Sequence, residues 1–161
     1  MTEGLFHPHD TTRSLPMALL RAREAVMANF RPMLHRHGIT EQQWRVVRVL
    51  AEAEEMEVSQ LAGRTSILAP SLSRILRTLE AQRIIAKRQD PGDGRVFWVR
   101  LSRQGAALLE LVQPDSITIY RTIEAAVGKQ NVDTLLDLLQ DMTSALQSVD
   151  QGDAAPKRRQ R

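Results

Sequence analysis

The chain has 161 residues, of which 42% are apolar, 25% charged and 4% aromatic, with a formal net charge of +3. That mix describes one globular domain around a single core and excludes an intrinsically disordered chain. Cysteine is absent, which removes disulfide scaffolds, thiolate metal sites and cysteine nucleophiles together. The longest run without a charged side chain, Thr65 to Ser73, is about half the length of a membrane span, so no membrane partner is expected. The N-terminus lacks the basic-then-apolar layout of a secretory signal, which points to the cytoplasm.

The charge is unevenly spread. Residues 64–103 carry nine basic and three acidic side chains, whereas residues 104–150 carry two basic and seven acidic. A basic middle between neutral and acidic flanks is the footprint of a polyanion-binding module, although a solvated mixed surface can look the same. Residues 1–13 read as a flexible arm. The tail after residue 150 holds a basic cluster without apolar periodicity and is expected to be disordered, a passive end or a source of nonspecific phosphate affinity.

In chain order, Leu15 to Arg36 is a long helix with apolar residues at 3–4 spacing. Pro16 suits its first turn, Pro32 should kink it or end its regular part, and His37-Gly38 supplies the stop. Thr40 with Gln43 forms a capping box for a second helix, whose buried stripe is Trp44, Val47, Leu50 and Ala51. The acidic run from Glu52 to Glu57 reads as a solvated turn, with a short extended segment at Val58. Ser59 then caps a brief third helix, Gln60–Arg64. A fourth helix runs from about Pro70 to Gln82, with Leu72, Ile75, Leu76 and Leu79 inward and Ser71, Ser73, Arg74, Arg77 and Thr78 on the other faces. Two short helices joined by a tight turn, the second basic and serine-rich outside, describe a helix-turn-helix.

Ile84–Arg88 and Arg95–Leu101 are strand-like and flank a turn-rich segment with Pro and Gly, as a hairpin requires. Alternation places Phe97, Val99 and Leu101 on one face and Val96, Trp98 and Arg100 on the other. A basic hairpin directly after a helix-turn-helix is a winged helix. Ser102 caps a long helix to about Val127, interrupted by Pro114, with Gly105 in its first turn; a last helix covers about Asn131–Val149. The fold is mainly α with a small β-hairpin: a DNA-reading lobe at about 40–101 between N- and C-terminal helices, about 14–37 and 102–149. Their apolar faces call for a homodimer.

The wing segment Asp90-Pro-Gly-Asp-Gly-Arg95, with Phe97-Trp-Val-Arg-Leu-Ser102 and Gly105, resembles the MarR family of bacterial transcriptional regulators. It is similar to that family's Asp-x-Arg wing and Leu-Thr-x-x-Gly strand exit, with Ser102 in place of the usual Thr. Ala-Leu-Leu-Arg-Ala-Arg-Glu-Ala at 18–25, Phe-Arg-Pro at 30–32 and Thr-Glu-Gln-Gln-Trp-Arg-Val-Val-Arg at 40–48 resemble the subgroup that represses homoprotocatechuate degradation. The resemblance implies a dimeric repressor of an aromatic-catabolism operon, released by a small phenolic or aromatic acid. It implies no enzyme, and the sequence shows no catalytic motif or cofactor site. A winged helix serving only protein interaction is the alternative, which the concentration of arginine in 64–103 argues against.

In such a dimer the two copies of Pro70–Gln82 would enter successive major grooves of a palindromic operator, roughly 10 bp apart. Ser71, Ser73 and Arg74 then reach base edges, with Arg74 suited to a bidentate guanine contact, unless the serines only cap the helix. Arg77 meets phosphate, as do Arg64, Arg88 and Arg100. Arg95 enters the minor groove braced by Asp93, a pairing that also reads as a wing-internal salt bridge. For the effector, Arg23 lies in the apolar seam 19-23-26-30-33 of the first helix. It either pairs with a carboxylate such as Glu24 or receives the ligand's carboxylate. Trp44 is placed to stack on an aromatic ring, or is plain core, and His35 is placed to hydrogen-bond a phenol or carboxylate, or is an exposed end residue. No metal is expected, since His35 and His37 diverge on a helix.

Overall fold

The computed structural model describes Thr11 and residues 14–152. The rest of the N-terminal arm and the tail beyond 152 lie outside the described residues. The elements are α1 (Leu15–Arg36), α2 (Glu41–Leu50), β1 (Met56–Glu57), α3 (Val58–Thr65), α4 (Ala69–Ala81), β2 (Ile85–Gln89), β3 (Phe97–Leu101), α5 (Arg103–Val127) and α6 (Lys129–Gly152). They form two compact units, one ending at Ile119 and the other beginning at Tyr120.

In the first unit, α1 continues through Pro32 to Arg36, so the proline does not end it. A proline ring displaces the bond its own nitrogen would make, and the buried Phe30, Met33 and Leu34 hold the turns on either side. The stop is a Schellman motif. Gly38 takes φ +66°, its N–H donates to the His35 carbonyl at 3.0 Å, and the Ile39 N–H donates to Leu34 at 3.1 Å. The capping box of α2 is complete: the Gln43 N–H donates to Thr40 Oγ1 at 3.2 Å, and the Thr40 N–H to Gln43 Oε1 at 2.9 Å.

The extended segment expected at Val58 lies two residues earlier, at Met56–Glu57, because these residues pair with Val99 and Trp98 of β3. Helix α3 then starts at Val58 with Glu57 as its N-cap residue. Ser59 therefore sits inside the helix, and its hydroxyl donates to the Glu57 carboxylate at 2.5 Å. The turn into α4 is tight, with Ser66 in the left-handed region at φ 51°. Arg45 of α2 braces it by donating to the Thr65 carbonyl at 3.1 Å.

The sheet has the order β1-β3-β2 and is antiparallel throughout. Val46 and Leu50 of α2, Leu61 of α3, Leu72, Leu76 and Leu79 of α4, and Ile85 and Val99 of the sheet form one buried cluster. Burial of this continuous apolar surface, about 1.5–3 kcal/mol per large side chain, is what fixes α4 against the sheet. Phe30, Met33, Trp44 and Val112 are buried outside that cluster.

Ser102 joins the hairpin to α5. Its N–H donates to the Ile84 carbonyl at 3.0 Å, and its hydroxyl accepts the Gly105 N–H at 3.0 Å, the cap expected from sequence. A Cβ on Gly105 would lie 2.1 Å from the Ile84 oxygen, so only glycine permits this crossing. Helix α5 passes through Pro114 without ending. In the second unit, α6 leaves Leu135, Leu136, Leu138, Leu146 and Val149 exposed.

Candidate nucleic-acid interface

Helix α4 presents Ser71, Ser73, Arg74 and Arg77 to solvent while Leu72, Ile75, Leu76 and Leu79 are buried, the division the sequence predicts. Its N-cap residue is Leu68, with no side-chain cap. The serine hydroxyls are therefore not used to cap the helix, and among the described residues neither has a hydrogen-bond partner. Leu68 is 80% exposed, a large apolar side chain at the tip of the helix that sequence reasoning missed. Its signal is the run Ile67-Leu-Ala-Pro70, where a cap usually takes Ser, Thr, Asp or Asn. Arg74 and Arg77 have no ion pair among the described residues.

The wing is ordered by Asp90, also missed from sequence. Its carboxylate accepts from the Gly92 N–H at 2.8 Å, the Asp93 N–H at 3.1 Å and the Trp98 Nε1–H at 2.9 Å. The Trp98 indole first, then the two backbone donors, hold its carboxyl below the usual carboxylate range. Within this turn Asp93 accepts from the Arg95 N–H at 2.9 Å and from Nε and Nη2 at 3.2 Å each. The Arg95 hydrogen bonds lower the Asp93 pKa. The Arg95 side chain is 92% exposed, so the brace aims a guanidinium outward from a rigid turn.

The other arginines expected on phosphate differ in availability. Arg64 is paired with Glu52. Arg88 donates through Nε to Glu55 at 2.9 Å, with a second contact through Nη2, and lies 5.4 Å from the Trp98 ring centre. The Arg88 hydrogen bonds hold Glu55 low and raise Arg88 in return. Arg100 is exposed and has no ion pair among the described residues. The acidic run that the sequence reads as a solvated turn thus supplies two specific partners.

At the candidate effector residues, Arg23 donates to Glu24 at 2.7 Å and also contacts Glu41. Glu41 in turn takes Arg31 and Arg45 at 3.4 Å each, and Arg31 meets Glu24 at 2.6 Å. Trp44, one turn past Glu41 on α2, is 7% exposed, a core position, and Arg23 reaches α2 through Glu41. His35 is exposed near the end of α1, about 18 Å along the helix from Arg23 at 1.5 Å per residue. It does not join them within one chain. Its neighbour His37 meets Asp115 of α5 at 3.2 Å. A cleft of about 360 Å³ borders His37, Ile39, Gln82, Ile84, Gln104 and Leu108, and none of the three predicted ligand residues lines it.

Comparison with known proteins agrees with this geometry. A model described as MarR family matches residues 37–96. The homoprotocatechuate degradative operon repressor of Escherichia coli is 41% identical over 128 residues, covering 80% of this chain and 86% of its own. Among solved structures, transcriptional regulator PA4135 is 40% identical with a TM-score of 0.79, over 81% of this chain and 96% of its own. NadR, solved in complex with 4-hydroxyphenylacetate, is 35% identical with a TM-score of 0.77, over 84% and 99%. A winged-helix lobe with these wing residues, and relatives of this closeness over most of both chains, establish that this chain belongs to the MarR family of transcriptional regulators.

Proposed function

We propose that this chain is a cytoplasmic, homodimeric DNA-binding repressor of an aromatic-acid degradation operon, released by a small phenolic acid. The observation that carries the reading is the pairing of two free cationic elements on one lobe. These are α4, where Arg74 and Arg77 have no ion pair among the described residues and lie beside the exposed Ser71 and Ser73, and a pre-formed wing with Arg95 92% exposed on its Asp93 brace. Arg74 reads guanine, Ser71 and Ser73 reach neighbouring edges, and Leu68 offers an apolar contact to a thymine methyl. Arg77 and Arg100 meet phosphate, and Arg95 enters the minor groove. A protein-interaction wing has no use for this concentration of unpaired guanidinium groups, and the named relative is an operon repressor. The exposed apolar residues of α1 (Leu15, Leu19, Leu20) and of α6 (Leu135, Leu136, Leu146) are suited to a two-fold partner. Helices 14–37 and 102–149 then serve dimerisation and residues 40–101 DNA reading.

The effector reading draws on NadR, which was solved with 4-hydroxyphenylacetate. A carboxylate of that kind suits the arginine cluster around Arg23, and its ring suits Trp44. Among the described residues no three or more His, Asp or Glu side chains gather as a metal set, and no helix is long and apolar enough to cross a membrane. The test is a gel-shift titration of the purified dimer on the promoter region beside its own gene, with and without 4-hydroxyphenylacetate. Retention of that duplex over random DNA, and release by the acid, are expected. A monomer that ignores the promoter at modest ionic strength would overturn the reading. Arg23→Ala is expected to keep operator binding and lose the response to the acid.

A further inference from the structure

Two of the basic side chains that sequence assigns to phosphate are already engaged inside the lobe. Arg64, at the end of α3, is held by Glu52, and Arg88, near the end of β2, is held at two points by Glu55. Both carboxylates lie on one short segment, the connection from α2 to β1. The sheet register places this segment beside the outer face of the wing. Met56 pairs with Val99 and Glu57 with Trp98, and Arg88 pairs with Trp98 from the other side. Glu55, Trp98, Arg88 and Arg100 therefore share one face. Glu55 is 24% exposed against 49% for Arg88, so the carboxylate is the more enclosed partner. The two-point grip of a carboxylate on a guanidinium uses the same donors that would grip a phosphate. One must leave for the other to bind.

We propose that the α2–β1 connection is a built-in attenuator of DNA affinity, in which Glu52 and Glu55 occupy guanidinium groups that phosphate would otherwise take. The proposal rests on the DNA-binding reading above. Its logic is that of a competitor tethered at fixed distance: an exposed ion pair is weak enough for DNA to break, so the attenuation is partial. Arg74, Arg77 and Arg95 remain committed to the duplex, and the tuning falls on phosphate contacts, which carry affinity without sequence information. A repressor that must leave its operator when an effector arrives gains from affinity held below its maximum.

The test uses the full chain and a labelled random-sequence duplex, since phosphate affinity needs no operator. Glu52→Gln and Glu55→Gln keep size and remove charge. Each is expected to bind about 3–10-fold tighter at low salt. Each also steepens the dependence of log K on log salt, by up to about 1.8 for a dimer, from about 0.9 per phosphate contact. Glu54→Gln makes the same change of net charge at an exposed neighbour without an ion pair among the described residues, and it is expected to leave the slope unchanged. The gain of Glu55→Gln should vanish in Glu55→Gln/Arg88→Ala, which is expected to bind the duplex no tighter than Arg88→Ala. An unchanged or weakened Glu55→Gln, or an equal gain in Glu54→Gln, overturns the attenuator. Absence of any salt-dependent duplex binding by the wild-type chain overturns the DNA-binding reading itself.

Discussion

Removal of the wing arginine is the sharpest perturbation of the proposed interface, because the structure separates its effect on binding from any effect on folding. The turn that carries Arg95 is held by Asp90, through Gly92, Asp93 and Trp98, and by Gln89, which donates to the Gly94 carbonyl at 2.5 Å. None of these bonds involves the Arg95 side chain, which is 92% exposed. Arg95→Ala should therefore change stability by no more than about 0.5 kcal/mol, as exposed substitutions do, which moves Tm by about 2 °C or less. On DNA, one charge-assisted contact contributes about 1.5–3 kcal/mol. Two wings per dimer then lose about 3–6 kcal/mol, a weakening of roughly 10²- to 10⁴-fold. The slope of log K against log salt should fall by about 1.8 if each wing gives up one phosphate-like neutralisation. Asp93→Asn keeps an acceptor for the Arg95 N–H but loses the charge that orients the guanidinium, at about 0.5–1.5 kcal/mol per side chain left unordered. Its loss should be the smaller, and the double variant should be no weaker than Arg95→Ala. Fluorescence anisotropy on the promoter duplex measures all three. An Arg95→Ala dimer that binds within threefold of wild type refutes the assignment.

Three further outcomes follow from the same geometry. Gly105→Ala forces a Cβ to 2.1 Å from the Ile84 oxygen, and that carbonyl is fixed by the Ser102 N–H at 3.0 Å. A loss of about 3 kcal/mol is expected, seen as a Tm lower by about 6–12 °C, and an unchanged melt would contradict the close crossing. Arg74→Ala should lower operator affinity more than random-duplex affinity, eroding discrimination by about 1–3 kcal/mol per lost guanine contact; equal losses on both duplexes would make Arg74 a phosphate contact. The His37 and Arg36 hydrogen bonds hold Asp115 below its ordinary value of 3.8. This carboxylate therefore contributes stability above that value, and the contribution disappears as pH falls through the lower folded-state value. Asp115→Asn should be less stable at neutral pH and lose less on acidification, measured as urea midpoints along a pH series.

Most of the lobe was legible because local rules and burial agree there. The Gly38 stop, the Thr40–Gln43 box, the inward face of α4 and the Ser102 cap each depend on residues within a few positions of one another. The same locality made Asp93 and Arg95 readable as a pair. The misses involve partners distant in sequence. A strand at Met56–Glu57 exists only because β3 offers an edge some forty residues later, and no period-2 signal is possible in two residues. Arg88 meets Glu55 across 33 positions and Arg64 meets Glu52 across 12, so a charge count could not separate engaged from free arginines. Asp90 is a case between the two: its backbone contacts are local, but its bond to Trp98 needs the hairpin to be closed. Pro32 and Pro114 show the limit of propensity. Both sit inside helices, and a buried face on neighbouring turns outweighs one missing hydrogen bond.

The cluster at Arg23 bears on how an effector could act. From sequence, an arginine in an apolar seam is either salt-bridged or waiting for a ligand, and the structure shows the pairing without making the two exclusive. Arg23, Arg31 and Arg45 are gathered around Glu24 and Glu41, three cations on two anions. Arg45 titrates below its ordinary value, first because it is half-buried and then because Arg23 repels it. One more carboxylate would balance the group, and an aromatic acid would bring it with a ring beside Trp44. Arg48, one turn past Trp44, is exposed on the same helix and has no ion pair among the described residues. Binding alone would not release DNA. The acid must prefer the arrangement of α1 and α2 found in the released dimer, and each tenfold loss of operator affinity requires about 1.4 kcal/mol of that preference. Glu41 is the natural source, because it sits in the first turn of α2 and ties that helix to α1 through Arg23 and Arg31. On the reading proposed above, a ligand carboxylate that took Arg23 from Glu41 would loosen the tie between α1 and α2, whose Val46 and Leu50 belong to the buried core cluster.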